Sequence, residues 1–425
     1  MTDPNALRIA YLVYRGNPHC GGQGVYSREL ARELTDLGHE ITVFSGPPYP
    51  ELSDPDQLER VPGLDLYRTN NPFRIPWPHE FRSTIDVREF ATMCTGTFSE
   101  PLAFSLRIRK ILRSRRSEFD LVHDNQCLGT GLLPMMAKDD WPVLATLHHP
   151  ITVDRDLDLE HAQSAYRRFT LKRWYAFLGM QMEVVRQIPR VLTVSESSRT
   201  DIIAQMGVSA DRLHVVAVGV DPTVFSPRPA IKRVPGRIMT TASADVPMKG
   251  LAPLLESLAK VRAEVTNAHL VVIGLPKAKS KIPALIAKLG LTGAVEFVSG
   301  VTTERIVELY AESEVACVPS LYEGFSLPAV EAMASGVPVV GTTGGAVPEV
   351  IGRDNETGLL VPPNDPDSLA VALIRILGDS QLRARIGTAG QKRACDNFTW
   401  RRTAERTAEH YQILVDEHAY KNGIG

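Results

Sequence analysis

Apolar runs of strand length alternate with amphipathic stretches of helix length along almost the whole chain, and the alternation occurs in two series. A short, unbroken apolar run reads as a strand buried on both faces, and two such runs joined by a helix form a parallel βαβ unit. The first series opens with "LRIAYLV" (7–13), a glycine-rich loop "RGNPHCGGQG" (15–24), a helical pattern over 25–38 that closes on Gly38, and a strand at 41–46. It continues through strands "LVHD", "VLATLHH" and "VLTVS" and ends in "VVAVGVD". Two long helices are predicted within it, one in "SLRIRKILRSRRSEFD" and one in "YRRFTLKRWYAFLGMQMEVVRQI". Residues 46–106, rich in proline and aromatics, read as an irregular insertion. A proline-rich stretch then precedes the second series, whose strands are "RIMTTA", "HLVVIG", "VEFVSG", "VACVPS", "PVVGT" and "LLVPP". The expectation is an α/β chain of two Rossmann-like, doubly wound parallel-sheet domains. They are placed at 1–222 and 237–398, joined by a linker at 223–236. Helices at 399–425 are expected to cross back to the N-terminal domain. Ligands of such sheets gather at the carboxyl ends of the strands, so a cleft between the two halves is the expected site.

Composition excludes several classes. Of 425 residues, 44% are hydrophobic and 23% charged, which is ordinary for a globular protein and rules out disorder or a disulfide scaffold as the main description. A net charge of −2 gives no field to recruit nucleic acid. The apolar runs are too short to cross a bilayer, and "MTDPNALRIAYLV" lacks the pattern of a signal peptide. Cys20, Cys94, Cys127, Cys317 and Cys395 are scattered and never spaced as C-x-x-C. A reducing, cytoplasmic setting is expected, without zinc fingers or iron–sulfur clusters.

The segment carrying most chemistry is "PSLYEGFSLPAVEAMASGVPVV" (319–340). A strand ends near Ser320, and a helix opens at Leu327 with Pro328 in its first turn. The amides of Gly324, Phe325, Ser326 and Leu327 would be unpaired donors at a helix N-terminus, a site suited to a diphosphate. Glu323 and Glu331 do not help a phosphate. Carboxylates there suit the hydroxyls of a sugar and of a ribose. The plain alternative is strand–loop–helix packing with two solvated glutamates.

This segment resembles the Glu-x7-Glu signature of the retaining family-4 glycosyltransferases, which have the two-domain GT-B fold. "GGAVPEVI" (344–351), "ETGLLVPPNDPDSLAVAL" (356–373), "NFTWRRTAE" (397–405), "TVSESSRTDII" (193–203) and "VVAVGVDPTVFSP" (215–227) resemble the same family in order and spacing. The resemblance implies a metal-independent transfer of a hexosyl unit from a nucleoside-diphosphate sugar, with a UDP-sugar favoured over GDP-mannose and no cofactor. It implies that Glu323 contacts the donor sugar and Glu331 the ribose. Gly324, Phe325, Ser326 and Leu327 would offer backbone to sugar and diphosphate. Gly21 and Gly22 would form a loop over the phosphates, Lys249 would bind phosphate, and Gly300 and Val301 would contact the base. His148 would stand near the reacting sugar carbon. Glu323, His148 and Lys249 are thus the expected catalytic residues. On the residues alone, "GGQG" is a common glycine loop, Lys249 an exposed lysine and His148 a structural histidine.

One feature departs from the family. An arginine usual five or six residues before the lysine is replaced here by Ala244 and Ser243, and Arg15 is a candidate substitute. Asp154, Asp156 and Asp158 show Asp-x-Asp spacing, but so do Asp54/Asp56 and Asp365/Asp367, so no metal is expected. Arg107, Arg109, Lys110, Arg113, Arg115 and Arg116 lie beside an apolar stripe, and Arg167, Arg168, Lys172 and Arg173 are interleaved with aromatics. Both suit a phosphorylated or lipid acceptor, or peripheral contact with an anionic membrane at the inner face of the plasma membrane. The competing reading is a solvated basic face over a core stripe. The acceptor is expected to be a lipid or a small polar metabolite. A nucleotide-sugar 2-epimerase and a non-catalytic nucleotide-sugar binder are the alternative functions.

Overall fold

Unbroken burial is what turns the apolar runs into central strands. β1 (Arg8–Val13), β2 (Glu40–Ser45), β3 (Leu58–Arg60), β4 (Leu121–Asn125), β5 (Val143–Leu147), β6 (Arg190–Thr193) and β7 (Leu213–Val215) form one parallel sheet in the order β3-β2-β1-β4-β5-β6-β7. Every residue of β4, β5 and β6 is buried, as expected when helices cover both faces. β8 (Arg237–Thr241), β9 (His269–Ile273), β10 (Val295–Val298), β11 (Val315–Val318), β12 (Val339–Thr342) and β13 (Leu359–Val361) form a second parallel sheet, ordered β10-β9-β8-β11-β12-β13. The computed structural model describes residues 6–16, 22–68, 70–160, 162–241, 246–277 and 280–423, and these strand counts refer to them. Both sheets are those of the GT-B class. All six strands predicted for the second half are present within a residue or two of the expected bounds.

The chain divides into two compact units. One holds 1–194, 198–216 and 403–425. The other holds 195–197 and 217–402. The final helix, Trp400–Lys421, therefore begins in the second unit, and its residues from 403 onward count with the first.

In the first unit, β1 runs toward β2 and β3 on one side while β4 to β7 extend on the other, so the winding reverses between β1 and β4. In the second unit it reverses between β8 and β11. Adjacent strands whose following loops part in opposite directions leave a crevice at their carboxyl ends. In the second unit the loops that border this crevice are the one after β8, carrying Lys249, and the one after β11, carrying Glu323.

Two expectations require correction. Residues 46–106 are not simply irregular. They supply edge strand β3, helix Thr84–Cys94 and the start of helix Glu100–Leu112. Pro55, Pro78 and Pro101 each sit in the first turn of a helix, where a missing N–H costs nothing, so the prolines start helices instead of breaking them. Leu64, Leu66, Tyr67 and Met93, with Phe81, Phe90, Phe98 and Trp174, form a small core of their own. The long helix expected around 166–188 is instead two helices, Ala165–Trp174 and Phe177–Val185. The break lets Trp174 enter the small core while Val184 and Val185 join the main core under the sheet.

Candidate functional site

Lys249 and Glu323 are 74 residues apart in sequence, and close backbone packing brings them together. Lys249 ends the short turn Pro247–Lys249, and Gly250 follows with φ +67. A Cβ on Gly250 would lie 1.9 Å from the carbonyl oxygen of Pro319, so the two loops touch only because this residue has no side chain. The amide of Leu321 donates to the carbonyl of Met248 (2.7 Å) and ties the loops in register. On the other side, a Cβ on Gly345 (φ +58) would lie 2.3 Å from the Glu323 carbonyl oxygen. That carbonyl accepts the amide of Ala346 at 2.8 Å.

The Lys249 ammonium donates to both carboxylate oxygens of Glu323, at 2.7 and 2.9 Å. The Ser320 hydroxyl donates to Oε1 at 2.7 Å. Beyond them begins helix Leu327–Ala334, with Ser326 as its N-cap. The Ser326 hydroxyl makes no capping bond and is buried without a partner among the described residues. The amides of Phe325, Ser326 and Leu327 likewise meet no acceptor among the described residues. Unpaired donors at the positive end of a helix form an anion site.

Glu331 lies on the same helix. The Tyr310 hydroxyl approaches its Oε2 at 3.4 Å and also donates to the Pro328 carbonyl at 3.2 Å. Burial pushes the Glu331 carboxyl up to about 7. Gly300 (φ +65) and Val301 follow β10, three places from β11 in the sheet. At the usual strand spacing of ~4.8 Å that is roughly 14 Å from the Glu323 loop. Open space surrounds the position a Cβ would take on Gly300. Ala244 and Ser243 lie outside the described residues.

In the first unit the polar residues collect at the carboxyl end of β4. His123, Asp124, Asn125 and Gln126 are all buried. His123 is held between the Tyr411 hydroxyl (2.6 Å) and Thr146 Oγ1 (2.8 Å), and burial lowers its pKa to about 3. Asp124 accepts the Leu128 amide on one oxygen, while the other has no partner among the described residues. Burial raises this carboxyl to about 7. Gln126 takes a left-handed backbone (φ +57). Its side chain accepts the His148 amide (2.8 Å) and donates to the His149 carbonyl (3.0 Å), which fixes the turn after β5. His148 Nε2 lies 2.8 Å from Asn125 Oδ1, and Tyr26 meets the ring edge-on at 4.6 Å. Burial, with His149 next, pushes its pKa down to about 3, so the ring is neutral at physiological pH. His149 pairs instead with Asp154 at 2.7 Å. Helix Gly22–Asp36 opens at Gly22, while Gly21 lies outside the described residues.

Several expected groups are engaged elsewhere. Arg15 donates to Glu100 (3.0 Å) and to the Tyr67 carbonyl, so it is a structural cation of the first unit. Of the six clustered cations, Arg107 pairs with Asp86 and Glu89, Arg109 with Asp139, and Arg115 with Glu59 and Glu118. Arg116 lies over Trp141 at 4.5 Å. Asp154, Asp156 and Asp158 stand on one helix, where residues two apart do not share a face, and each has its own partner: His149, Arg155 and Tyr175. No helix among the described residues is long and apolar enough to cross a membrane. Sequence reasoning did not find Ser320, Tyr310, Gly250 or the role of Gly345. The glycine pair in "GGAVPEVI" was the available signal.

Comparison with known proteins adds to this picture. Residues 20–224 match the family described as Glycosyltransferase Family 4, and 228–393 match Glycosyl transferases group 1. The chain is 49% identical over 410 residues to the MMP alpha-(1→4)-mannosyltransferase of Mycolicibacterium hassiacum, an alignment spanning 96% of this chain and 98% of that one. Among solved structures, sucrose-phosphate synthase of Thermosynechococcus elongatus superposes with a TM-score of 0.71 at 21% identity, covering 97% of this chain and all (100%) of that one. HepE of Anabaena, in complex with UDP-glucose, superposes with a TM-score of 0.69 at 18% identity, covering 96% and 99%. Both structures share the fold.

Proposed function

Because the chain belongs to glycosyltransferase family 4, with the GT-B fold, and is a glycosyltransferase, we propose that it moves a mannosyl unit from a nucleoside-diphosphate sugar to a carbohydrate acceptor with retention of configuration. Mannose is supported by the 49% identical relative, which is named for α-(1→4) mannosyl transfer. Forming an α-linkage from an α-linked sugar nucleotide is net retention. The fold shared with a UDP-glucose complex supports a nucleotide-sugar donor.

The observation that carries the reading is the Lys249–Glu323 pair at 2.7 Å beside the unpaired amides of Phe325 to Leu327. In the proposed scheme the amides and Lys249 hold the diphosphate, Glu323 accepts hydroxyls of the donor sugar, and Glu331 accepts the ribose diol. Gly300 and Val301 reach the base, and Gly21 and Gly22 cover the phosphates. Neutral His148 serves as a hydrogen-bonding group near the reacting carbon and not as a proton shuttle. The bond from the anomeric carbon to the phosphate oxygen breaks as the bond to the acceptor oxygen forms. The acceptor proton passes to the departing phosphate oxygen. The protein positions the partners and stabilises charge on the leaving diphosphate. No metal enters this scheme, so excess chelator should leave the rate unchanged. Strong inhibition would require a metal.

We favour a carbohydrate over a lipid acceptor because Arg107, Arg109, Arg113 and Arg115, four of the six cations at 107–116, are paired with carboxylates of the first unit. Neither alternative, the 2-epimerase or the non-catalytic binder, is favoured once the family is known. Incubation with GDP-mannose and with UDP-sugars, with and without α-mannosides, tests the reading. Release of nucleoside diphosphate with growth of the mannoside is expected. An altered sugar on an intact nucleotide, or binding without turnover, would refute it.

A further inference from the structure

We propose that the first unit carries a glycan-binding groove, apart from the groups around His148, which holds the distal sugars of an oligosaccharide acceptor. This rests on the carbohydrate-acceptor reading above. The groove has a volume of about 420 Å³ and is lined by Phe73, Asp158, Arg167, Thr170, Arg173 and Trp174. That volume falls in the usual range of small-ligand sites.

Its chemistry matches a sugar ring, which presents a face of C–H bonds and an edge of hydroxyls. The aromatic wall is built in advance. Trp174 is fixed by Tyr67 and Phe98, with ring centres 5.5 and 5.3 Å away. Phe73 packs edge-on against Trp174 (5.9 Å) and Tyr67 (5.5 Å), yet remains 55% exposed. Its backbone is left-handed (φ +61), a region unfavourable for a bulky side chain. It is held there by its amide, which donates to the Leu66 carbonyl at 2.7 Å. Strain that keeps an aromatic ring at a surface is found where ligands are gripped. A rigid aromatic anchor also spares a ligand much of the ordering cost.

The rim supplies the polar partners. Asp158 accepts the Tyr175 hydroxyl at 2.8 Å, which fixes the carboxylate at the groove. Arg173 is braced by the Thr95 carbonyl and lies over the Phe169 ring at 5.7 Å. Arg167 is exposed and no carboxylate among the described residues pairs with it. An acyl chain laid here would leave these charges facing hydrocarbon, whereas a glycan would satisfy them.

Reach completes the argument. Helix Ile151–Glu160 starts two residues after His149 and carries Asp158 in its last turn. At 1.5 Å per residue, Asp158 lies about 10 Å along that axis from its start. A short oligosaccharide can therefore occupy the groove while its growing end stays near His148.

The test uses the full-length protein and two variants of exposed side chains, Phe73→Ala and Arg167→Ala. The probes are α-(1→4)-mannotetraose and methyl α-mannoside. Calorimetry measures binding without donor, and nucleoside diphosphate release measures transfer. In each variant the ratio of kcat/KM for the tetraose over the monosaccharide is expected to fall about tenfold or more, with a matching loss of tetraose affinity. An unchanged ratio, even with lower overall activity, would overturn the groove. So would a dodecyl mannoside that outperforms the tetraose in a Phe73-dependent manner, which would assign the groove to an alkyl chain. If the wild type transfers no mannose at all, the functional reading fails, and tetraose binding alone then decides the groove.

Discussion

Replacing Glu323 by glutamine keeps the shape of the side chain and removes its charge, and the geometry around it makes the consequence specific. The Lys249 ammonium spans both carboxylate oxygens, at 2.7 and 2.9 Å, and the Ser320 hydroxyl occupies Oε1 at 2.7 Å. In Glu323→Gln the oxygen can keep Ser320, but the amide nitrogen must then face the ammonium, donor against donor. Lys249 would swing away. One charge-assisted hydrogen bond to a donor hydroxyl is also lost, worth roughly 1.5–3 kcal/mol. At 1.36 kcal/mol per tenfold, turnover should fall about 10- to 150-fold. Folding should change little. The Lys249 side chain is 33% exposed and Glu323 12%, and a partly exposed pair contributes about 0–1 kcal/mol.

Affinity for the bare nucleoside diphosphate should move the other way. That product has no hexose to lose, and a lysine released from its carboxylate is freer to meet a phosphate. The expected result is equal or tighter diphosphate binding beside much slower transfer. Rates come from coupled detection of released nucleoside diphosphate, and affinities from calorimetry with the product alone. Parallel loss of diphosphate affinity and turnover would refute the division of labour between Glu323 and Lys249. So would an unimpaired rate.

Other perturbations probe neighbouring parts of the site. Burial raises Glu331 to about 7, so the carboxyl is neutral below that pH and ionised above it, and only the ionised form accepts two ribose hydroxyls well. The donor KM should rise as pH falls through about 7, and Glu331→Gln should flatten that dependence. His148, pushed down to about 3, should show no imidazole titration by NMR between pH 5 and 8. A midpoint in that window would return it to proton transfer. Gly345→Ala would place a Cβ 2.3 Å from the Glu323 carbonyl oxygen at a left-handed position, so turnover should drop more than the about tenfold of one lost hydrogen bond although no donor contact is removed. Asp124, raised to about 7 by burial, keeps a proton in the folded state that the unfolded chain has released by pH 5. Wild-type stability therefore falls as pH rises from about 4 to 7, where only the folded state holds this proton, and levels off above that range. The melting temperature of Asp124→Asn should gain on the wild type between about pH 4 and 7 and keep a level difference above it. A constant difference across the rising range would show that the carboxyl ionises freely in the folded protein.

Much of this was legible in the amino acids, for a physical reason. Strands buried on both faces must be apolar, so the inner strands β8, β9, β11 and β12 could be placed by composition alone, and their alternation with helices implied the winding that sets Lys249 and Glu323 on neighbouring loops. The insertion was misread because proline marks a break only inside a helix. At Pro55, Pro78 and Pro101 it marks a beginning. The long helix around Trp174 was misread because two separate cores pull on its halves, and local periodicity carries no record of a distant partner such as Tyr67. Arg15 looked like a spare phosphate ligand until the fold placed Glu100 beside it.

The pairing of Lys249 with Glu323 also alters how the anion site must work. A family arginine is absent from the preceding loop, and the lysine that remains is already neutralised by a carboxylate. Among the described residues of the crevice, the side chains therefore offer a diphosphate little net positive charge. What the crevice offers without rearrangement is the row of amides at Phe325, Ser326 and Leu327. In the proposed scheme donor binding would then be an exchange of partners. The diphosphate would take the ammonium from Glu323, and the carboxylate so released would take the hydroxyls of the sugar. A nucleoside diphosphate without a sugar would leave that carboxylate with only Ser320 to satisfy it. The complete donor would satisfy both ends at once. In that scheme the coupling would favour a whole sugar nucleotide over its diphosphate product, and it would arise from a contact made possible by two glycines, Gly250 and Gly345, whose missing side chains let the loops pack.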